Sequence, residues 1–215
     1  MVGGKVRPGA AMAAPGRMQV AMKALAPQFV ILLLLNGLPG VTGIEISVKN
    51  GSERENQTKA QLERLLKQYN LAKWIFTTKV IIDQAEIPHS HPVLTLHTRH
   101  LGNDDALLST FIHEQIHWFE EQHAAERDKA IKELEAIYPE APGGPPEGAR
   151  DKNSTYLHLM VCYLEYLGMI ELVGPEKARH VIEESSHNYY KWIYATVLKD
   201  GPKIAAVLEK HKLKL

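Results

Sequence analysis

The chain has 215 residues, enough for one domain with its own core and too short for two of ordinary size. Hydrophobic residues make up 45% and charged residues 23%, a balance that excludes a disordered or fibrous protein. Twenty-five basic residues offset twenty-five acidic ones, so no nucleic-acid partner is expected, and the single cysteine, Cys162, excludes a disulfide framework or a cysteine-rich zinc module.

Residues 1–43 differ from the rest. They contain no acidic side chain, carry Lys5, Arg7, Arg17 and Lys23, and lead into an apolar run from Phe29 to Leu35 followed by turn-forming and small residues. That order reads as a secretory leader, with a mitochondrial presequence as the competing reading. The run is too short to cross a bilayer comfortably, so no stable membrane span is expected. Cleavage near Gly43 would leave one domain over 44–215 in a secreted or periplasmic protein.

Beyond the leader, Ser52 and Glu55 have the spacing of a capping box, and apolar positions from Ala60 to Tyr69 recur at helical spacing, which predicts a helix over about 53–70. Lys79–Asp83 is short and β-branched, and Val93–Arg99 alternates. These are two expected strands with the Pro88–Pro92 turn between them. Gly102 to Asp105 stops the second strand and caps a helix through Phe119, whose Ala-, Glu- and Lys-rich tail predicts uninterrupted continuation to Ile137. Pro139–Gly148 must be a loop. Then come an almost wholly apolar helix, Ser154 to Val173, another over Glu176–Ser186, an aromatic segment His187–Leu198, and a short amphipathic helix after Asp200-Gly201-Pro202.

The chemistry concentrates in His113-Glu114-Gln115-Ile116-His117. Histidines at i and i+4 share one helix face and can meet a single ion. The intervening Glu114 sits where it can take a proton from a water activated there. Zinc is the expected cofactor, since it makes such a water acidic enough for a carboxylate base.

With these residues the sequence resembles the zincin metallopeptidases, over about residues 75–172. The resemblance implies an α+β fold in which a small mixed sheet packs on the His-Glu-x-x-His helix, followed by a mostly helical C-terminal half. It also implies that the edge strand, here Val93 to Arg99, pairs with an extended peptide or protein substrate. His113, Glu114, His117 and His123 fall in register with the metzincin motif, but Glu120 stands where that motif has glycine. On a continuing helix His123 lies about 240° around from His117. The gluzincin branch instead draws a glutamate from a second helix downstream, and Glu165 on the buried Ser154–Val173 helix suits that role. Glu171 and His123 remain as rivals. His158, seven residues before Glu165 and on the same face, is expected as a donor to the transition state or a group orienting a ligand, with a buried structural histidine as the alternative. Tyr190, with His187 beside it in the aromatic segment, is the candidate oxyanion donor. His89, His91, His97 and His100 are expected to line a loop and the outer strand face.

The reading is therefore a zinc metallopeptidase with His113, His117 and Glu165 on the metal, Glu114 as general base, and His158 and Tyr190 assisting. A zinc-binding protein without hydrolytic activity and a zinc hydrolase of non-peptide amides stand as alternatives.

Overall fold

The computed structural model describes Gly3, Gly4 and residues 43–215, so nearly all of the expected leader lies outside the described residues. Among the described residues there are three strands and six α-helices, with the helices dominating the C-terminal half.

The first strand, β1 (Glu45–Val48), was not expected: its alternation lasts only four residues, directly after the leader boundary. It pairs with β2 (Lys79–Ile82), and β2 pairs with β3 (Leu94–Leu96), giving the order β1-β2-β3. Both pairings are parallel, which corrects the expected mixed sheet. The connection between β2 and β3 folds back on the outside of the sheet, and its one antiparallel element is the isolated bridge between His89 and Thr95. Helix α1 (Glu53–Gln68) forms the crossover between β1 and β2 and opens with the expected capping box. Ser52 Oγ accepts from the Glu55 N–H at 3.2 Å, and the Glu55 carboxylate accepts from the Ser52 N–H at 3.1 Å. The same carboxylate takes the backbone N–H groups of Asn50 and Gln84, which ties α1 to the end of β2.

Helix α2 (Asp104–Gln122) is capped by Asn103 and has Asp104 and Asp105 in its first turn, where the helix dipole favours negative charge. It does not run on to Ile137. The chain breaks at His123 (φ −119°, ψ 35°) and restarts as α3 (Ala124–Ile137). Two local interactions hold the break without a glycine. The His123 ring turns back to the Phe119 carbonyl at 2.7 Å, and Arg127 reaches back to Glu120 at 2.7 Å.

Helix α4 (Lys152–Val173) is apolar nearly all round, long and apolar enough to cross a membrane by length and composition alone. Here it is the hub of the helical half, packed against α2, α3, α5 (Pro175–Ser186) and α6 (Lys191–Lys210). Gly168 sets its distance from α2: a Cβ there would lie 3.3 Å from Ile112 and from the Trp74 ring. Helix α6 joins the aromatic segment and the last amphipathic stretch across a kink at Asp200, two residues before Pro202.

Candidate metal centre

Two packed helices assemble the centre. On α2, His113 and His117 lie one turn apart. On α4, His158 and Glu165, seven residues apart, face α2 together. Ring centroids of His113 and His117 are 5.1 Å apart, those of His117 and His158 5.1 Å, and those of His113 and His158 5.6 Å. One nitrogen from each of the three comes within 4.8 Å of the others.

Hydrogen bonding decides which nitrogen is available. His158 Nδ1 lies 2.7 Å from the Ser154 carbonyl oxygen, which can only accept, so Nδ1 carries the proton and Nε2 keeps its lone pair. His113 Nδ1 is 2.8 Å from Glu165, and His117 Nδ1 is 3.5 Å from Glu120, itself held by Arg127. All three rings thus commit Nδ1 to an acceptor behind them. Burial, reinforced by His113 and His117, pushes the His158 imidazole down to about 3, so it is neutral, as a metal ligand must be. Burial also opposes charge on His113, but the Glu165 carboxylate outweighs it and raises that ring well above the ordinary histidine range.

Glu165, expected as the third ligand, is not a member of the three-histidine group. Its carboxylate accepts from Ser109 Oγ, from the Tyr194 hydroxyl at 3.3 Å and from His113. It belongs to a second group with His113 and Cys162. That group fits an ion poorly: its His113 nitrogen and carboxylate are already bonded to each other, and burial holds the Cys162 thiol protonated by pushing it up to about 11. The three histidines fit better, being neutral-capable donors with their second nitrogens engaged.

A cleft of about 220 Å³ opens beside the centre, and His113, Glu114, Glu165 and Tyr190 contribute to its wall. Glu114 is buried to 7% exposure, leaving its carboxylate at the cleft. Tyr190 sits at the N-terminus of α6 in the left-handed region (φ 55°, ψ 34°), a conformation that costs a non-glycine residue about 1 kcal/mol or more. This places its ring 4.7 Å from that of His158. Burial pushes its hydroxyl up to about 12, so it stays a hydrogen-bond donor.

The rival positions are engaged elsewhere. Glu171 pairs with Lys73 at the surface, and His123 packs on Phe119. The four histidines near β3 do not converge. His89 bonds the Ile87 carbonyl, and His91 stacks on Trp118 and pairs with Glu121. His97 caps the 3-10 turn Thr98–His100, while burial, followed by the charge of Arg99, pushes His100 down to about 4. His187 is exposed near Glu184. The expected substrate strand is also shorter than predicted: it ends at Leu96, and its outer edge at Thr95 is already paired with His89 (2.8 and 3.1 Å).

Several residues of the site went unread in the sequence. Glu120 stands in the sequence both as a missing glycine and, at i+3 from His117, as a partner for that ring. Ser109 has the corresponding i−4 spacing from His113. Tyr194 lay inside the aromatic segment with nothing to single it out. Buried Gln115 bonds the backbone of Phe76 and Thr77 at 2.7 and 2.9 Å, fixing α2 against the lead into β2. Compared with known protein families, curated proteins and solved structures, the chain gives no match.

Proposed function

We propose that this chain is a zinc-dependent hydrolase of peptides or related amides, with His113, His117 and His158 as the metal ligands. The observation that carries the reading is the convergence of three imidazoles whose Nδ1 atoms are all committed to acceptors, beside a cleft that contains Glu114. Glu165 then moves from ligand to positioning residue: it fixes the ring of His113 and raises its basicity, and Ser109 and Tyr194 fix Glu165 in turn. Glu120 stands behind the His117 ring in the same way, 3.5 Å from its Nδ1 and itself held by Arg127.

A zinc ion at these histidines would supply Lewis-acid chemistry, polarising a carbonyl and lowering the pKa of water to about 7. Glu114 takes the proton of the attacking water, whose oxygen bonds to the amide carbon, and passes it to the nitrogen as the C–N bond breaks. The Tyr190 hydroxyl, kept protonated by burial, donates to the oxygen on which charge develops. The zincin resemblance supports this division of labour, with a histidine where the gluzincin branch has a glutamate. Glu114 speaks for hydrolysis over a purely structural zinc site, which has no use for a carboxylate at the cleft.

Metal analysis and hydrolysis of a mixed peptide library test the reading together. The purified chain should carry about one zinc, and Glu114→Gln should retain it while losing about 10²–10⁴-fold in rate. A chain that takes up no zinc, or a Glu114→Gln variant with undiminished hydrolysis, overturns it.

A further inference from the structure

Arg99 is the one lysine or arginine on the wall of the cleft that also contains His113 and Glu114. Its side chain is exposed, and nothing acidic among the described residues pairs with it. Nε donates to His100 Nε2 at 3.3 Å, and the guanidinium lies over the Tyr189 ring, 6.0 Å from its centroid. Both contacts orient the group and leave its charge uncompensated. The Nη edge remains available as a planar two-pronged donor, the geometry that suits a carboxylate.

The other side of the cleft limits substrate length. The backbone of Thr95 at the β3 edge is closed by His89 on both its N–H and its C=O, and the two residues before His89, Ile87 and Pro88, occupy the cleft margin. An extended peptide therefore has no free strand edge at Thr95. The cleft at His113 and Glu114 holds only about 220 Å³, and Arg99 and Tyr189 stand between it and a second cleft of about 510 Å³ whose wall they share.

Resting on the hydrolase reading above, we infer that the substrates are short amides whose leaving part carries a free α-carboxylate, and that Arg99 binds that carboxylate. Hydrolysis then releases an amino acid or a very short peptide from the Arg99 side of the cleft.

Binding tests this without turnover. The zinc-loaded full chain carrying Glu114→Gln is titrated calorimetrically with N-acetyl-alanine, N-acetyl-leucine and N-acetyl-phenylalanine, and with the amide of each. The acids should bind about 10–100-fold more tightly than their amides. Arg99→Met should erase that difference, and Arg99→Lys should retain part of it. Equal binding of acid and amide, or no binding by any probe, overturns the inference. So does a preference that survives Arg99→Met, since the carboxylate would then be held by the metal. Tighter binding of N-acetyl-glutamic acid α-amide than of N-acetyl-leucine overturns the choice of an α-carboxylate over an acidic side chain. Zinc content of the same preparations separates the two claims: a chain without zinc defeats the hydrolase reading, while a loaded chain indifferent to the carboxylate defeats this one alone.

Discussion

Two parts of the molecule are rich in histidine, and they treat it in opposite ways. Between α2 and α4, three imidazoles turn their Nδ1 atoms outward to fixed acceptors and bring their remaining nitrogens together. Around β3, four imidazoles are absorbed by unrelated local partners: His89 by a carbonyl, His91 by a glutamate and an indole, and His97 and His100 by the backbone and the side chain of Arg99. The difference lies in what carries them. Helices hold side chains at i and i+4 on one face and keep that face rigid against a partner helix, whereas a turn-rich segment points successive side chains in unrelated directions. Histidine number therefore says little, and the second helix behind the rings says much.

The sharpest way to break this comparison is to remove a converging histidine. His158→Ala should reduce zinc stoichiometry from about one to near zero, whereas His89→Ala and His91→Ala should leave it unchanged. If zinc survives His158→Ala and is lost with Glu165→Ala, the third ligand is Glu165 after all. The next effect is smaller. Glu165→Gln keeps an acceptor for His113 but removes the charge, and should weaken zinc binding about 10–100-fold, read by competition with a chelator.

Protonation sharpens the contrast further. His158 and His100 lie far below the ordinary 6.5 in the fold, at about 3 and about 4. Between those values and 6.5 the unfolded chain binds protons that the folded chain refuses, so their contribution to stability is present above about 6.5 and is lost as pH falls. His113 runs the other way: its raised value gives stability that is present at low pH and lost as pH rises through it. Thermal unfolding of the zinc-free chain should therefore show a falling Tm from pH 6.5 to 4. A flat profile would mean that His158 and His100 are not held neutral. Zinc binding should weaken over the same range, since protons compete for His113.

Two further substitutions test the frame around the histidines. Gly168→Val should destabilise the protein by about 1–3 kcal/mol in denaturant unfolding, because even a Cβ there comes within 3.3 Å of Ile112 and Trp74. The smallest change is expected from Glu121→Gln, which removes a partly exposed ion pair with His91 and should cost no more than about 1 kcal/mol without affecting zinc.

Much of this was legible in the chain. The capping box at Ser52 and Glu55, the loop at Pro139–Gly148 and the long apolar helix after it all rest on local rules, and they stand as expected. So does the placement of His113 and His117 on one helix face. Local rules failed where the outcome depended on distant partners. The sheet is parallel because α1 carries the chain from β1 back to the start of β2, a crossover that short strands with weak alternation do not announce. The α2–α3 break depends on a His123–Phe119 bond and an Arg127–Glu120 pair that only the folded backbone aligns.

The sequence by itself determined the pair of histidines, the adjacent glutamate and a downstream helix bearing both His158 and Glu165 on one face. The tertiary structure decided which of the latter two joins the histidine group. Seven-residue spacing puts both residues toward α2 without fixing how far along it each one falls. Packing at Gly168 and the hydrogen bonds at Ser154 and Ser109 set that height, bringing His158 level with the two histidines and Glu165 behind His113.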